Sequence, residues 1–282
     1  MIGVDPPWAP KAPKGAFMEM EQLTALFPHI ATQLRYALSN LHMVAAALAP
    51  TQARELDPVL DQRAAVLDQS FYQMLRLVNQ LSAAVYLADE KPLPLRNRDI
   101  GELVEELCAA ASSLAPLKGL AFTVKNELGH HVCAVAPDEL EQLVYNLLSN
   151  AFKFTPAGGT VEVELRRREG CILLTVRDSG RGIPDEQLAA LFTPHADPLL
   201  PPPHGVGLGL VLCHRFALGQ GGRLLARSEV GQGSEFTLSL PDRLVDEPLS
   251  DIHVDYTGGF SRTLLGLADA LPSGAFRVSE QE

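Results

Sequence analysis

The chain has 282 residues, a length that suits roughly two domains. Apolar residues make up 46% of it and charged residues 20%, a balance that excludes a wholly disordered chain. Its 34 acidic and 23 basic residues leave a net charge of −11, which is the wrong sign for a general nucleic-acid binder. We therefore expect no nucleic-acid partner.

The sequence shows no targeting or membrane signal. It contains no run of about 18 consecutive apolar residues, and the first 17 residues carry four prolines rather than the apolar core of a signal peptide. The four cysteines lie far apart and form no C-x-x-C pair, so the sequence suggests neither a zinc ribbon nor a disulfide framework. We expect no membrane span and a cytoplasmic location, with any outside signal arriving through a partner.

Apolar residues in the first third recur in steps of three and four, the spacing of helices that pack through a heptad seam. The first series is Phe27, Ile30, Leu34, Ala37, Leu41, Val44 and Leu48, and the second is Leu60, Ala64, Leu67, Phe71, Met74, Val78, Leu81 and Val85. The spacing predicts a flexible segment over 1–18, followed by an antiparallel helical hairpin over 19–91.

One hairpin buries only one side of each stripe. Two hairpins are therefore expected to pair into a dimeric four-helix bundle, which would make the protein a homodimer. The alternative is that the hairpin packs against the second domain of its own chain.

Pro92 and Pro94 forbid continuation of the second helix and mark the start of a domain over 92–241. Helical patterns cover 100–115, 138–154 and 208–218, and strand patterns cover 120–127, 132–135, 160–167, 172–178, 223–228 and 235–240. The proline-rich stretch 185–207 is predicted to be a long loop. Because the strands are grouped rather than alternating regularly with helices, the pattern indicates an α+β sandwich.

The remaining residues, 242–282, form a C-terminal extension. Phe260, Leu264, Leu267 and Leu271 lie at helical spacing within it. We expect a short amphipathic helix that docks on the second domain or meets a partner.

The helix over 138–154 places three polar side chains close together. At 100° per residue, Asn146, Asn150 and Lys153 share an arc of about 60°, and the apolar residues lie on the other side. An amide oxygen suits Mg²⁺, and a lysine meets a phosphate as a point charge. The arc alone is equally typical of a solvated helix face.

Three glycine-containing segments strengthen the functional interpretation. Asp178 follows a strand and precedes Gly180 and Gly182, where backbone can approach a flat ring while the carboxylate accepts from an amine. Amides at the start of the helix after 207 can hold a phosphate. The glycines of the second segment are Gly205, Gly207 and Gly209, and those of the third are Gly231 and Gly233.

In this order and spacing, the four segments resemble the ATP-binding domain of sensor histidine kinases, within the GHKL ATPase superfamily. The resemblance covers roughly 19–241. It implies an N box with Asn150 as the Mg²⁺ ligand, an adenine box at Asp178, and a glycine box closing an ATP lid. Matching positions are Asn146, Asn150 and Lys153; Asp178, Gly180 and Gly182; the F box at Leu191 and Phe192; and Gly205, Gly207 and Gly209.

The phosphoacceptor box departs from the family pattern His-Glu-Leu-Arg-x-Pro-Leu. Residues 32–38 fit it best, but Thr32 replaces the histidine and Gln33 the neighbouring acid. A threonine hydroxyl needs a base to remove its proton, which a glutamine cannot do. Thr32 is expected to face outward from the seam. His29, one turn earlier, is a candidate displaced acceptor.

Three functional hypotheses remain open. The first is a histidine-kinase-like dimer that binds Mg-ATP, has lost its phosphoacceptor and signals to a response regulator, acting as a pseudokinase or regulatory protein. The second is an active histidine kinase that uses His29. The third is a serine/threonine kinase or ATPase of the same superfamily.

Overall fold

The computed structural model describes residues 14–88, 92–192, 207–246 and 260–278. The helices are α1 (Lys14–Leu48), α2 (Thr51–Leu56), α3 (Pro58–Ala88), α4 (Ile100–Leu114), α5 (Pro137–Phe154), α6 (Asp185–Leu188), α7 (Leu208–Gly219) and α8 (Arg262–Leu267). The strands are β1 (Arg96–Asp99), β2 (Ala121–Asn126), β3 (Val132–Val135), β4 (Thr160–Arg168), β5 (Cys171–Asp178), β6 (Arg223–Glu229) and β7 (Gly233–Pro241).

Helices α1 and α3 pack antiparallel, with the short α2 between them. Arg35 donates to Asn79 Oδ1 at 3.0 Å near one end of the contact. His42 stacks on Phe71 at 4.3 Å between ring centroids, farther along α1 and earlier along α3. His42 therefore packs as a core side chain of the hairpin.

The heptad stripe of α1 is not the seam of this hairpin. Ala31 and Leu38 are buried, whereas Leu41 is 66% exposed and Leu48 78% exposed. The periodicity correctly indicates a helix, but α1 packs on α3 through residues beside the stripe. The residues that the structure describes leave an apolar face of α1 exposed.

The second part of the chain is a five-stranded sheet in the order β2-β4-β5-β7-β6, in which only β2 and β4 run parallel. Apolar residues alternate along the strands and bury one face, as at Val161, Val163 and Leu165 of β4. Helices α4, α5 and α7 cover this face. The predicted α+β sandwich is confirmed.

Two local features differ from the sequence prediction. Strand β1 pairs with β3 in a small separate sheet, and its charged sequence gives no strand signal. Helix α6 begins the stretch predicted as a loop, because Pro184 precedes its first turn, where Asp185 and Glu186 favour the positive helix end. Residues 193–206 of that stretch lie outside the described residues.

The C-terminal segment 260–278 packs between the hairpin and α5. Leu267 and Phe276 are fully buried, and burial of each such side chain contributes about 1.5–3 kcal/mol. Gln69 of α3 donates to the carbonyl oxygen of Leu271 at 2.9 Å. On the other side, Tyr145 Oη and Thr263 Oγ1 are 2.9 Å apart. The segment thus connects α3 to α5.

Among the described residues, no helix has both the length and the apolarity that crossing a membrane would need.

Candidate functional site

Helix α5 is the element on which the candidate site is built. Pro137 at its start and the acidic pair Asp138 and Glu139 in its first turn suit the N-terminus of a helix. Its apolar side packs on the sheet. Helix α7 and the C-terminal segment also pack on α5, and side chains of α3 reach it, so that Glu141 and Asn146 are buried as well.

Asn146 is held by the hairpin. Its Oδ1 accepts from Arg76 Nη2 at 3.0 Å and, more weakly, from Gln80 Nε2 at 3.4 Å. A helical wheel correctly separates this side of α5 from the core side, but it contains no information about α3. Arg76 and Gln80 therefore carry no signal in the sequence that connects them with Asn146.

Asn150 and Lys153 follow Asn146 along the same side of α5 and are half-buried. Burial lowers the pKa of the Lys153 ammonium, and the nearby cations Arg76 and Arg181 lower it further, while Asp269 acts in the opposite direction. Three cations and one carboxylate thus share this region. Asp269 comes from the C-terminal segment, and no local pattern in the sequence connects that segment with the site.

Asp178 lies buried at the end of β5. Its Oδ1 accepts from the backbone N–H of Gly180 at 2.8 Å. Burial raises the pKa of this carboxyl, although hydrogen bonds from the backbone N–H groups of Gly180 and Ser234 oppose the rise. A buried carboxylate with unused acceptor positions is suited to an amine donor.

Two glycines bring the Asp178 loop against its neighbours. A Cβ atom on Gly180 would lie 2.6 Å from the carbonyl oxygen of Phe154, the last residue of α5. Gly182 has a φ of +69°, and a Cβ atom there would lie 2.0 Å from the carbonyl oxygen of Glu229. Any side chain at either position would push the loop away from α5 or β6.

The start of α7 faces Asn146. Gly207 caps this helix with a φ of +71°, and a Cβ atom on Gly209 would lie 3.5 Å from Asn146 Oδ1. The first N–H groups of a helix are unpaired within it and carry partial positive charge, so this end can receive an anion. Gly205 and most of the predicted lid lie outside the described residues.

The F-box residues Leu191 and Phe192 precede that gap, and both are half-buried. The Phe192 ring stacks on His214 of α7, with 4.9 Å between centroids. His214, which showed no signal in the sequence, therefore anchors this end of the loop.

The degenerate acceptor box lies on α1, where Thr32, Gln33 and His29 are all exposed. The Thr32 hydroxyl donates to the carbonyl oxygen of Pro28 at 2.8 Å. Its proton is therefore engaged by the backbone one turn earlier.

One other group of side chains has metal-ligand spacing among the described residues. Ligand atoms of Asp99, Glu102 and His130 lie within 4.8 Å of one another. Asp99 Oδ1 already caps α4 by accepting from the Glu102 N–H at 3.0 Å. The capping of α4 by Asp99 therefore explains why these three side chains lie together.

Comparison with known proteins identifies the family of this chain. Residues 135–244 match the family described as histidine kinase-, DNA gyrase B-, and HSP90-like ATPase. The alginate biosynthesis sensor protein KinB of Pseudomonas aeruginosa is 32% identical over 197 residues, which are 68% of this chain and 31% of KinB. The chain belongs to the family of sensor histidine kinases with a GHKL-type ATP-binding domain.

Further sensor kinases are similar over a longer part of the chain. The adaptive-response sensory kinase SasA of Synechococcus sp. (strain JA-2-3B'a(2-13)) is 28% identical over 227 residues, covering 78% of this chain and 59% of SasA. The crystal structure of full-length ShkA in complex with AMPPNP has a TM-score of 0.61 at 23% identity, covering 80% of this chain and 47% of ShkA. This last likeness is one of fold.

The chain spans between about a third and three fifths of the length of the first curated relatives that it matches.

Proposed function

We propose that the chain binds Mg-ATP between α5, the Asp178 loop and the start of α7, and acts as a histidine-kinase-like signalling protein whose usual phosphoacceptor is replaced by Thr32. This proposal is supported by the contact of the Asp178 loop with one end of α5 and by the position of Gly209 beside Asn146 on the same helix. The functional units would be a hairpin over 19–91, an ATP-binding domain over 92–241 and an extension over 242–282, after the segment 1–18.

Each site residue has a role that follows from its chemistry. Asp178 would accept a hydrogen bond from the exocyclic amine of adenine. Asn150 would hold Mg²⁺, which prefers oxygen ligands, and Lys153 would meet a phosphate. Amides near Gly207 and Gly209, with those of the glycine box around Gly205, would contact the phosphates at the positive end of α7.

The acceptor box favours a regulatory role over phosphotransfer. A neutral imidazole is nucleophilic near neutral pH, but the Thr32 hydroxyl is not without a base. Its proton points to Pro28, and the neighbouring Gln33 cannot accept a proton from it as an acid would. On this proposal the protein is a pseudokinase or regulatory ATP-binding protein.

Two catalytic alternatives stand beside it. His29 is exposed one turn before Thr32, so an active histidine kinase with a displaced acceptor is the second candidate. A serine/threonine kinase or ATPase of the same superfamily is the third. The second and third candidates use the same nucleotide site. They differ only in the group that accepts the phosphoryl group.

The exposed apolar stripe of α1 supports a homodimer. Ile30, Leu34, Leu41 and Val44 share that stripe, and all four are exposed in a single chain. Pairing two hairpins through it would bury this surface in a four-helix bundle. A response regulator would then dock on the bundle near Thr32, as the resemblance implies.

The nucleotide site is tested by Asp178→Asn. Loss of a buried charged hydrogen bond costs about 2 kcal/mol, so ATP affinity measured by calorimetry with Mg²⁺ should fall roughly 30-fold. Glu127→Gln, an exposed acid after β2, is the matched control and should bind like wild type. Equal ATP affinity for Asp178→Asn and wild type would contradict the site.

The three functional candidates are separated by incubation with ATP labelled on the γ-phosphate. The regulatory proposal predicts no label on the protein and no multiple turnover of ATP. Acid-labile label that disappears in His29→Ala would instead establish the displaced-acceptor kinase. Acid-stable label on Thr32 or on an added protein, or sustained ATP hydrolysis, would establish the third candidate.

The dimer is tested by light scattering of the full chain. Wild type should show about twice the monomer mass of 30.5 kDa. Leu41→Glu should shift it to the monomer, because a charge would be buried in the bundle seam. Leu225→Glu alters a similarly exposed leucine, 57% exposed on β6, and should remain dimeric. A monomeric wild type at micromolar concentration would contradict the bundle.

A further inference from the structure

Arg76 of α3 is a buried cation with unused hydrogen-bond donors. Its side chain is 9% exposed. Nη2 donates to Asn146 Oδ1 at 3.0 Å, and Nε lies 3.3 Å from Asp269 Oδ2 without the alignment of a hydrogen bond. Nη1 is buried and has no hydrogen-bond partner among the residues that the structure describes.

Such an arrangement is costly in the folded protein. A buried polar donor that is left unsatisfied costs about 1–3 kcal/mol, and more when the group is charged. Asp269 offsets part of the charge from one side of the guanidinium, while Asn146 offers only a neutral amide oxygen. An acceptor with negative charge beside Nη1 would remove this penalty.

The distance along α5 between Arg76 and the proposed adenine pocket at Asp178 indicates which negatively charged group could lie beside Nη1. The Asp178 loop contacts α5 at its last residue, Phe154, where the Arg181 N–H lies 3.4 Å from the Phe154 carbonyl oxygen. Asn146 lies eight residues earlier, about 12 Å along the helix at 1.5 Å per residue. A base at Asp178 would direct its ribose and phosphates along this stretch, past Asn150, towards Asn146.

The groups around Asn146 are those of an anion site. Gly209, at the start of α7, approaches Asn146 from one side. A Cβ atom on Gly209 would lie 3.9 Å from Gln80 Nε2. The charge of Arg76 contributes to lowering the pKa of the Lys153 ammonium, which lies on the same side of α5 as Asn146. The carboxylate of Asp269 is the one negative group that the structure shows beside this cation pair.

We propose that Arg76, contributed by the helical hairpin, is a direct ligand of the terminal phosphate of ATP bound in the neighbouring domain. The inference rests on the proposed nucleotide site and adds to it a residue from another part of the chain. ATP would then be held by both parts at once, while ADP, which lacks the third phosphate, would contact only the ATP-binding domain. The hairpin would thereby distinguish ATP from ADP.

The competing explanation is structural. Arg76 could serve only to hold the C-terminal segment through Asp269. In that case, removing either partner would have the same consequence, and the effect would not depend on how many phosphates the nucleotide carries.

The test compares ATP and ADP affinities of the full chain by calorimetry with Mg²⁺. Arg76→Met keeps an unbranched apolar stem and removes the guanidinium donors, and we expect it to weaken ATP binding about 10- to 100-fold, as for loss of a charged hydrogen bond. ADP affinity should change less than about 3-fold. Arg76→Lys, which keeps the charge, should recover part of the ATP affinity. Asp269→Asn should bind ATP at least as tightly as wild type.

Each other outcome has a distinct meaning. Wild-type ATP affinity in Arg76→Met, with Asp178→Asn still impaired, would overturn the inference and leave the proposed function standing. Equal losses for ATP and ADP in both Arg76→Met and Asp269→Asn would overturn it in favour of the structural role. Absence of any nucleotide binding by wild type would overturn the proposed function itself. If circular dichroism shows that Arg76→Met does not fold, the ratio of ATP affinity to ADP affinity is measured for Arg76→Lys instead. A ratio below that of wild type would support the inference, and an unchanged ratio would overturn it.

Discussion

The proposed nucleotide site depends on the contact between Arg76 and Asn146. It joins two side chains that are 70 residues apart, one on the hairpin and one on the central helix of the ATP-binding domain. A buried guanidinium costs free energy unless acceptors surround it, and Nη1 of Arg76 has no hydrogen-bond partner among the described residues. The C-terminal segment completes the arrangement by placing Asp269 on the other side of the same guanidinium.

Helix α5 contributes both to the core and to the proposed site. One side supplies the core that packs on the sheet. The other side carries the amides and the ammonium expected to meet Mg²⁺ and phosphate. The Asp178 loop at its end is positioned by a backbone approach that only glycine allows at residue 180. Both ends of the proposed nucleotide site lie on α5. A shift of α3 or of the C-terminal segment against α5 would therefore change the positions of side chains along the whole site.

The sequence predicted much of this fold because its signals are local. Alternating apolar residues located β4, β5 and β7 to within two residues at each end, and α5 was predicted from its periodicity. Strand β1 was missed because the sequence Arg-Asn-Arg-Asp carries no apolar alternation. The glycine segments predicted the Asp178 loop and the start of α7, since close backbone approach has a clear residue preference.

What the sequence could not predict is which surfaces meet. Heptad spacing indicates a helix with an apolar face but not what covers it, and the α1 stripe proved to lie outside the hairpin contact. Arg76 and Gln80 lie four residues apart on α3, which places them on one face, yet this spacing is equally common on a solvated helix. Their role depends on long-range packing that no local pattern encodes.

Joint binding of nucleotide by the hairpin and the ATP-binding domain is tested by hydrogen–deuterium exchange of the full chain, with and without a non-hydrolysable ATP analogue and Mg²⁺. If both parts hold the nucleotide, exchange should slow both in peptides covering the Asp178 loop and in peptides covering residues 72–80 of α3, with β2 unchanged. Protection confined to the ATP-binding domain, or absent from both regions, would contradict it.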